Sequence, residues 1–255
     1  MFKLDYHIKV KKNDIGKYIL LVGDPKRTQI IAKFFETPKE VFENREFRII
    51  TGYINTEKDK KIKVSTVSTG IGCPAAAICI EELATIGAKV FIRIGTAGSL
   101  QKYIKLNNIV ISLASVREDG TSLQYVPLSY PACASIEVVN ALVRAAEKLN
   151  VKYHIGITHC KDAFYSEIPE YLPLKEKHLF LWKVWQRSNV IATSMESSTL
   201  FVIGSIRKLF VGEILTIVGT TYSKELIIEK NVSFENAIKI SIEAIKILYN
   251  KLKLS

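Results

Sequence analysis

A chain of 255 residues, 48% of them hydrophobic, can bury a sizeable core and is too apolar to stay disordered. Its formal net charge of +11 admits nucleic acid, a membrane surface or an anionic substrate, but the lysines gather only at residues 9–12 and 58–63, which read as solvated faces or a hairpin tip, and no zinc-knuckle, helix-turn-helix or RNP pattern accompanies them. The N-terminus lacks the apolar run of a signal peptide, no segment approaches the roughly 18 apolar residues of a membrane span, and four cysteines without a CxxC spacing point to a reducing, cytoplasmic setting.

No internal repeat or proline-rich linker interrupts residues 1–255, which read as one domain. Residues 1–16 are a polar lead-in. Tyr18-Ile19-Leu20-Leu21-Val22 is a short buried strand, ended by Gly23-Asp24-Pro25. Pro25 opens a helix that carries Ile30, Ile31 and Phe34. Residues 46–54 and 62–67 pattern as a hairpin with a lysine-rich tip. Ser68-Thr69-Gly70-Ile71-Gly72 is a glycine loop, and Pro74 opens a helix that stops at Gly87. The strand at 90–94 then completes a βαβ unit, which implies a parallel sheet. Arg93-Ile94-Gly95-Thr96-Ala97-Gly98-Ser99 reads as the end of that strand opening into a second glycine-rich loop, whose amides could form an anion nest.

Residues 108–113 are the next strand. Ser135 begins a helix whose apolar stripe is Val139, Leu142, Val143, Ala146 and Leu149. Residues 154–158 are a strand. Residues 167–185, with two prolines and several aromatics, read as an irregular lid or binding loop. A strand at 189–193, a helix at 196–206 and a strand at 214–218 follow. The last helix carries Ile238, Ile242, Ile245 and Leu252 on one face, with Ser233 as its N-cap.

Three strand ends thus carry chemistry, at Gly23, at Ser68 and at Arg93. In open α/β sheets ligands bind beyond the carboxyl ends of strands. Arg27 falls in the first turn of a helix, where an anion is already favoured. Arg93 offers a planar fork suited to phosphate, and burying it requires a partner. No GxxxxGK[ST] pattern is present, which argues against a nucleoside triphosphate.

Gly23-Asp24-Pro25-x-Arg27, Asn44-Arg45-Glu46-Phe47, Ser68-Thr69-Gly70-Ile71-Gly72-x-Pro74 with Glu81-Glu82-Leu83, Arg93-Ile94-Gly95-Thr96-Ala97-Gly98 and Met195-Glu196-Ser197 follow one another in an order that resembles the nucleoside phosphorylase family. Residues 114–123 and 127–132 look most like its uridine-cleaving branch. The match runs from about His7 to the last helix. It implies a three-layer α/β/α fold, with one mixed central sheet flanked by helices. It implies that inorganic phosphate attacks the anomeric carbon of a nucleoside, releasing the base and leaving pentose 1-phosphate. Phosphate is a co-substrate there, and no cofactor or metal is expected.

By the same resemblance the phosphate site is Gly23, Arg27, Arg93 and Thr96, with Arg45 reaching in from a neighbouring subunit. Met195 lies under the ribose, Glu196 accepts hydrogen bonds from its 2′- and 3′-hydroxyls, and His7 contacts the 5′-hydroxyl across the subunit boundary. Arg93 and Glu196 carry the catalysis. The resemblance therefore implies a homo-oligomer, at least a dimer and a hexamer built of dimers. Its partners are nucleoside and phosphate, not nucleic acid or membrane. His154, His159 and His178 match nothing functional.

The chain departs from the family at the base. The family reads uracil with a glutamine and an arginine just after a Phe-Tyr pair. Here Phe164-Tyr165 is present, but Ile168 and Glu170 hold the aligned positions, and Thr220 replaces a late-strand arginine. Phe164, Ile168 and Glu170 are then the base-binding set, with altered or relaxed base choice. Ser194 stands where many members have glutamate. Ala75 replaces a serine associated with a monovalent-cation site, which argues against that cation, although Glu46 and Ile71 remain. A purine nucleoside phosphorylase, a hydrolytic nucleosidase and a catalytically weak nucleoside-binding homologue are the alternatives. Three arginines argue against hydrolysis, since water needs no anion clamp. No aspartate near Gly219-Thr220-Thr221 supports the purine reading.

Overall fold

The computed structural model describes residues 6–57, 59–221, 227–228 and 232–254; the first five residues of the polar lead-in and Lys58 at the hairpin tip lie outside them. One mixed sheet of eleven strands organises these residues. Strand β1 (Tyr18–Val22) is buried along its whole length. Its side chains alternate between two cores, as a strand covered on both faces requires. Tyr18, Leu20 and Val22 pack with helices α1 (Pro25–Ala32), α4 (Ile136–Lys148) and α7 (Glu235–Leu252). Ile19 and Leu21 pack with α2 (Cys73–Thr85) and α6 (Ser197–Ile206) on the other face. That is the expected α/β/α layering around a central mixed sheet.

β1 lies between β4 (Lys61–Ser68) and β5 (Val90–Ser99), parallel to both. β3 (Phe47–Asn55) pairs antiparallel with β4, completing the expected hairpin. Beyond it lies β2 (Glu36–Asn44), a strand that the sequence pattern did not announce. β2 is an edge strand, mostly exposed, with Pro38 inside it. Such a strand has no buried face to impose an alternating pattern.

The largest local correction concerns residues 95–99. They are not a loop. β5 continues through Ser99 because β10 (Phe210–Thr220) pairs with it in parallel from Val90 to Ser99, and β9 (Ala192–Ser194) joins at Gly98 and Ser99. The glycines that suggested a turn are tolerated by this pairing on both edges. β10 also pairs antiparallel with β6 (Ile109–Glu118), β6 with β8 (Tyr153–Lys161), and β8 with β9. The strands β5, β10, β6, β8 and β9 therefore close into a ring. Ala97, Val110, Ala192, Leu215 and Ile217 from these strands form a small apolar cluster of their own. The β5–β10 register shifts between Ile217 and Gly219, a bulge at Val218, and such bulges re-aim side chains.

A second correction falls at 167–185. Two single 3₁₀ turns, Phe164–Glu167 and Pro169–Tyr171, lead into helix α5 (Lys175–Arg187). Only Trp182 of α5 is buried, so the apolar stripe that would have marked a helix is missing. At the other termini the sequence signals hold closely. Asp24 caps α1 by accepting the Lys26 N–H at 2.8 Å, and Gly87, at φ 113°, ends the turn after α2. Ser233 sits one residue outside the cap of α7, where its Oγ accepts the Glu235 N–H at 3.3 Å.

Candidate active site

A cavity of about 680 Å³ opens where β1 and β5 end and the 68–72 loop begins. Gly23, Asp24 and Arg27 come from the β1–α1 turn, and Gly70 and Ile71 from the loop before α2. Arg93, Thr96 and Gly98 come from β5, Ser194, Met195 and Glu196 from the β9–α6 junction, and Lys161, Phe164 and Glu167 from the end of β8 and the turn after it. Gly70 (φ 72°) and Gly72 (φ 95°) adopt left-handed backbone that only glycine takes readily.

Arg93 is buried at the centre of this wall. Its Nη1 donates to Glu213 Oε1 at 2.8 Å, and its Nη2 bonds Glu196 Oε2. Glu213 is itself buried and accepts a hydrogen bond from Ser112 Oγ at 2.7 Å. Burial alone would lower the Arg93 pKa, but the two carboxylates outweigh it and raise the value. Burial pushes the Glu213 carboxyl up, against the opposing pull of Arg93 and Ser112. Gly95 makes the arrangement possible. A Cβ there would stand 2.0 Å from Arg93 Nη1, because residues i and i+2 of a strand share a face.

Glu196 accepts the Gly72 N–H at 2.8 Å as well as Arg93. The second arginine, Arg27, stacks on Phe234 at 4.1 Å. Burial lowers its pKa, Asp24 opposes this, and the neighbouring Arg93 adds to it. Among the described residues Arg27 makes no ion pair. The cavity thus carries one arginine shared by two carboxylates and another with no carboxylate partner, an arrangement that invites an anion. Ser194 lines the cavity and joins a hydroxyl chain, with Ser194 Oγ 2.9 Å from Ser197 Oγ and Ser197 Oγ 2.9 Å from Ser115 Oγ.

The cavity therefore gathers seven of the residues expected from sequence, Gly23, Arg27, Arg93, Thr96, Phe164, Met195 and Glu196. Four others stand outside its lining. Ile168 falls between the two 3₁₀ turns, and Glu170 is exposed and paired with Lys175. Arg45 is exposed in the β2–β3 turn at φ 54°. His7 Nδ1 lies 2.8 Å from Glu82 Oε1, and both His7 and Ile8 donate their backbone N–H to the Glu82 carboxylate. Asn44 Nδ2 donates to His7 O at 3.2 Å, so His7 and the Arg45 turn are neighbours. Glu46, beside them, packs against Gly70, where an added Cβ would lie 2.9 Å from Glu46 Cγ.

Glu213, Lys161 and Glu167 were missed by sequence reasoning. Glu213 had a usable signal, a lone carboxylate inside an apolar strand, matching the lone arginine of β5; the two are direct cross-strand partners. Lys161 and Glu167 had none, because a charge at a strand end usually meets solvent. His159, behind them, is buried between Thr193 Oγ1 and Glu118 Oε2, and burial lowers its pKa.

Cys73, Asp119 and Cys160 are the one group of potential metal ligands that converge among the described residues. Cys73 and Cys160 are free thiols with Sγ atoms 3.5 Å apart. Their mutual hydrogen bond, and then burial, push the Cys73 thiol up, the opposite direction from that of a reactive thiolate. Asp119 already accepts hydrogen bonds from the Ser122 N–H and from the hydroxyls of Ser122, Ser198 and Thr199.

The family described as the phosphorylase superfamily matches residues 17–248. A uridine phosphorylase of Treponema pallidum (strain Nichols) is 39% identical over 247 residues, covering 96% of this chain and 94% of that protein. A uridine phosphorylase of Thermococcus kodakarensis is 38% identical over 250 residues, 96% of this chain and 87% of that protein. A guanosine phosphorylase of Halorubrum lacusprofundi is 32% identical over 252 residues, 95% of this chain and 98% of that protein.

Proposed function

The chain belongs to the phosphorylase superfamily, and from that membership we infer a pentosyltransferase that cleaves nucleosides, uridine foremost, with inorganic phosphate. The observation that carries this reading is the meeting of Arg27, Arg93 and Glu196 on one cavity wall at the strand ends. A phosphate oxygen attacks the anomeric carbon as the bond to the base breaks, and the bonding pair leaves with the base. Arg27, Arg93, Thr96 and the Gly23 turn hold the phosphate. Glu196 accepts from the ribose hydroxyls beside Met195, and its negative charge favours the cationic sugar of the transition state. Holding both reactants in line is the remaining contribution, and it needs no covalent nucleophile.

Phosphate-dependent release of base from uridine, thymidine, inosine and guanosine tests this. Uridine is expected to be cleaved fastest and only with phosphate present. Equal rates without phosphate would overturn phosphorolysis. Inosine or guanosine as the best substrate would favour the purine reading that the Halorubrum relative keeps open.

The place of this activity is nucleoside salvage in the cytoplasm, a setting supported by four free cysteines. The working unit is a homo-oligomer, at least a dimer and in full a hexamer built of dimers, in which Arg45 and His7 serve a neighbouring cavity. Their position outside the lining of their own cavity supports this. Mixing two inactive variants, Arg45→Ala and Glu196→Gln, checks it. Random pairing makes half the dimers mixed, and each mixed dimer holds one complete site, so activity is expected to return to about a quarter of wild type. No recovery after subunit exchange would mean that Arg45 does not act across a boundary.

A further inference from the structure

The cavity contains a charge pair for which the phosphate and ribose roles leave no task. Lys161 Nζ lies 2.6 Å from Glu167 Oε1, and the two side chains are only 5% and 6% exposed. Lys161 Nζ also donates to Thr193 Oγ1 at 2.9 Å and faces the Trp182 ring at 5.8 Å. Trp182 pins the turn that carries Glu167, donating from Nε1 to Ser166 O at 2.8 Å. Glu167 Oε2, in contrast, has no hydrogen-bond partner among the described residues. It lies 3.4 Å from where a Cβ on Gly98 would stand, on the cavity wall. The pair sits by Phe164 and Gly98, further along β5 than Arg93.

Burying two charges costs desolvation that their attraction often fails to repay, and apolar residues of similar size would usually be as stable there. A pair kept with one free acceptor facing ligand space is better explained by recognition. Resting on the phosphorolysis proposed above, we infer that Lys161 and Glu167 read the nucleobase. Glu167 Oε2 accepts a ring N–H and Lys161 donates to the carbonyl beside it. The ligand class is a base with an imide or lactam edge, uracil first.

The leaving-group chemistry fits this pair. When the glycosidic bond breaks, the electron pair leaves with the base nitrogen and spreads onto the uracil carbonyl oxygens. An ammonium at such an oxygen therefore gains attraction as the bond opens, which favours the transition state over the bound nucleoside. A lone carboxylate beside the departing anion would oppose it. Paired with Lys161, the site is net neutral, so Glu167 accepts the imide N–H without that penalty.

The test is phosphate-dependent cleavage of uridine and of 3-methyluridine, which lacks the N3–H, by wild type, Glu167→Gln and Lys161→Met. The KM for phosphate and thermal unfolding serve as controls. Wild type is expected to favour uridine by roughly 10- to 100-fold, the worth of a charge-assisted hydrogen bond. Glu167→Gln is nearly isosteric, and its amide keeps only one acceptor oxygen where Lys161 and the base would use two. It is expected to lose most of that ratio with the phosphate KM unchanged, whereas a ratio set by methyl bulk alone would not move. Lys161→Met is expected to lower kcat for uridine more than it raises KM. No preference in wild type, or a ratio unmoved in Glu167→Gln, overturns this inference alone. Absence of phosphate-dependent cleavage by wild type overturns the phosphorolysis reading, and this one with it.

Discussion

Arg93→Met is expected to abolish phosphate-dependent turnover and to destabilise the fold by about 3–5 kcal/mol, the usual cost of leaving a buried ion pair half broken. Both effects come from one guanidinium. It faces the cavity, and it is the shared partner of Glu196 and Glu213. The loss should depend on pH in a definite direction. Burial already holds the Glu213 carboxyl above its ordinary value, and Arg93 pulls it back down. Without Arg93 the value rises further. A carboxyl with a raised folded-state pKa destabilises the fold above that pKa and ceases to do so once protonated. The variant should therefore recover stability as the pH is lowered from neutral toward the ordinary carboxylate range, over which the raised Glu213 carboxyl takes up its proton. Denaturant midpoints across that range, for wild type and variant, measure it. Adding Glu213→Gln should restore part of the stability and none of the turnover. A pH-independent deficit would mean that Glu213 is not the group left uncompensated.

Glu196→Gln is expected to lower kcat/KM for uridine by about 100- to 1000-fold, the scale for removing one preorganised electrostatic group from a transition state. The carboxylate accepts the Gly72 N–H and an Arg93 N–H in the free protein. An amide must turn its NH₂ toward one of those donors, and it no longer offers negative charge to the sugar. The fall should lie mainly in kcat. It should shrink on 2′-deoxyuridine, which lacks one of the hydroxyls that the carboxylate would accept from. Steady-state kinetics on the two substrates check both points. A change confined to KM, equal on both, would reduce Glu196 to a simple binding contact.

Legibility in the sequence tracked burial. β1 could be read because all five residues are apolar and a glycine-proline turn ends it. β2 could not, because an exposed edge strand has no buried face. The residues proposed for phosphate and ribose stood out as charged or glycine-rich breaks at strand ends. Glu213 showed only as a lone carboxylate in an apolar strand; its pairing with Arg93 depends on register, which is set by tertiary pairing rather than by local pattern. For the base, the family resemblance pointed to Ile168 and Glu170. The tight 3₁₀ turn instead delivers Glu167 to the cavity, one position earlier. Side-chain direction in such a turn cannot be inferred from spacing alone.

The closed ring of strands also bears on how the chain is made. Arg93 and Glu213 are 120 residues apart. During synthesis β5 therefore emerges long before β10, the strand that covers its edge and brings Glu213 to its arginine. Until β10 arrives, β5 presents an open edge, a typical starting point for misassembly. The step that seals the sheet is the same one that brings Glu213 to Arg93 and completes the cavity wall, so partly made chains carry no finished cavity.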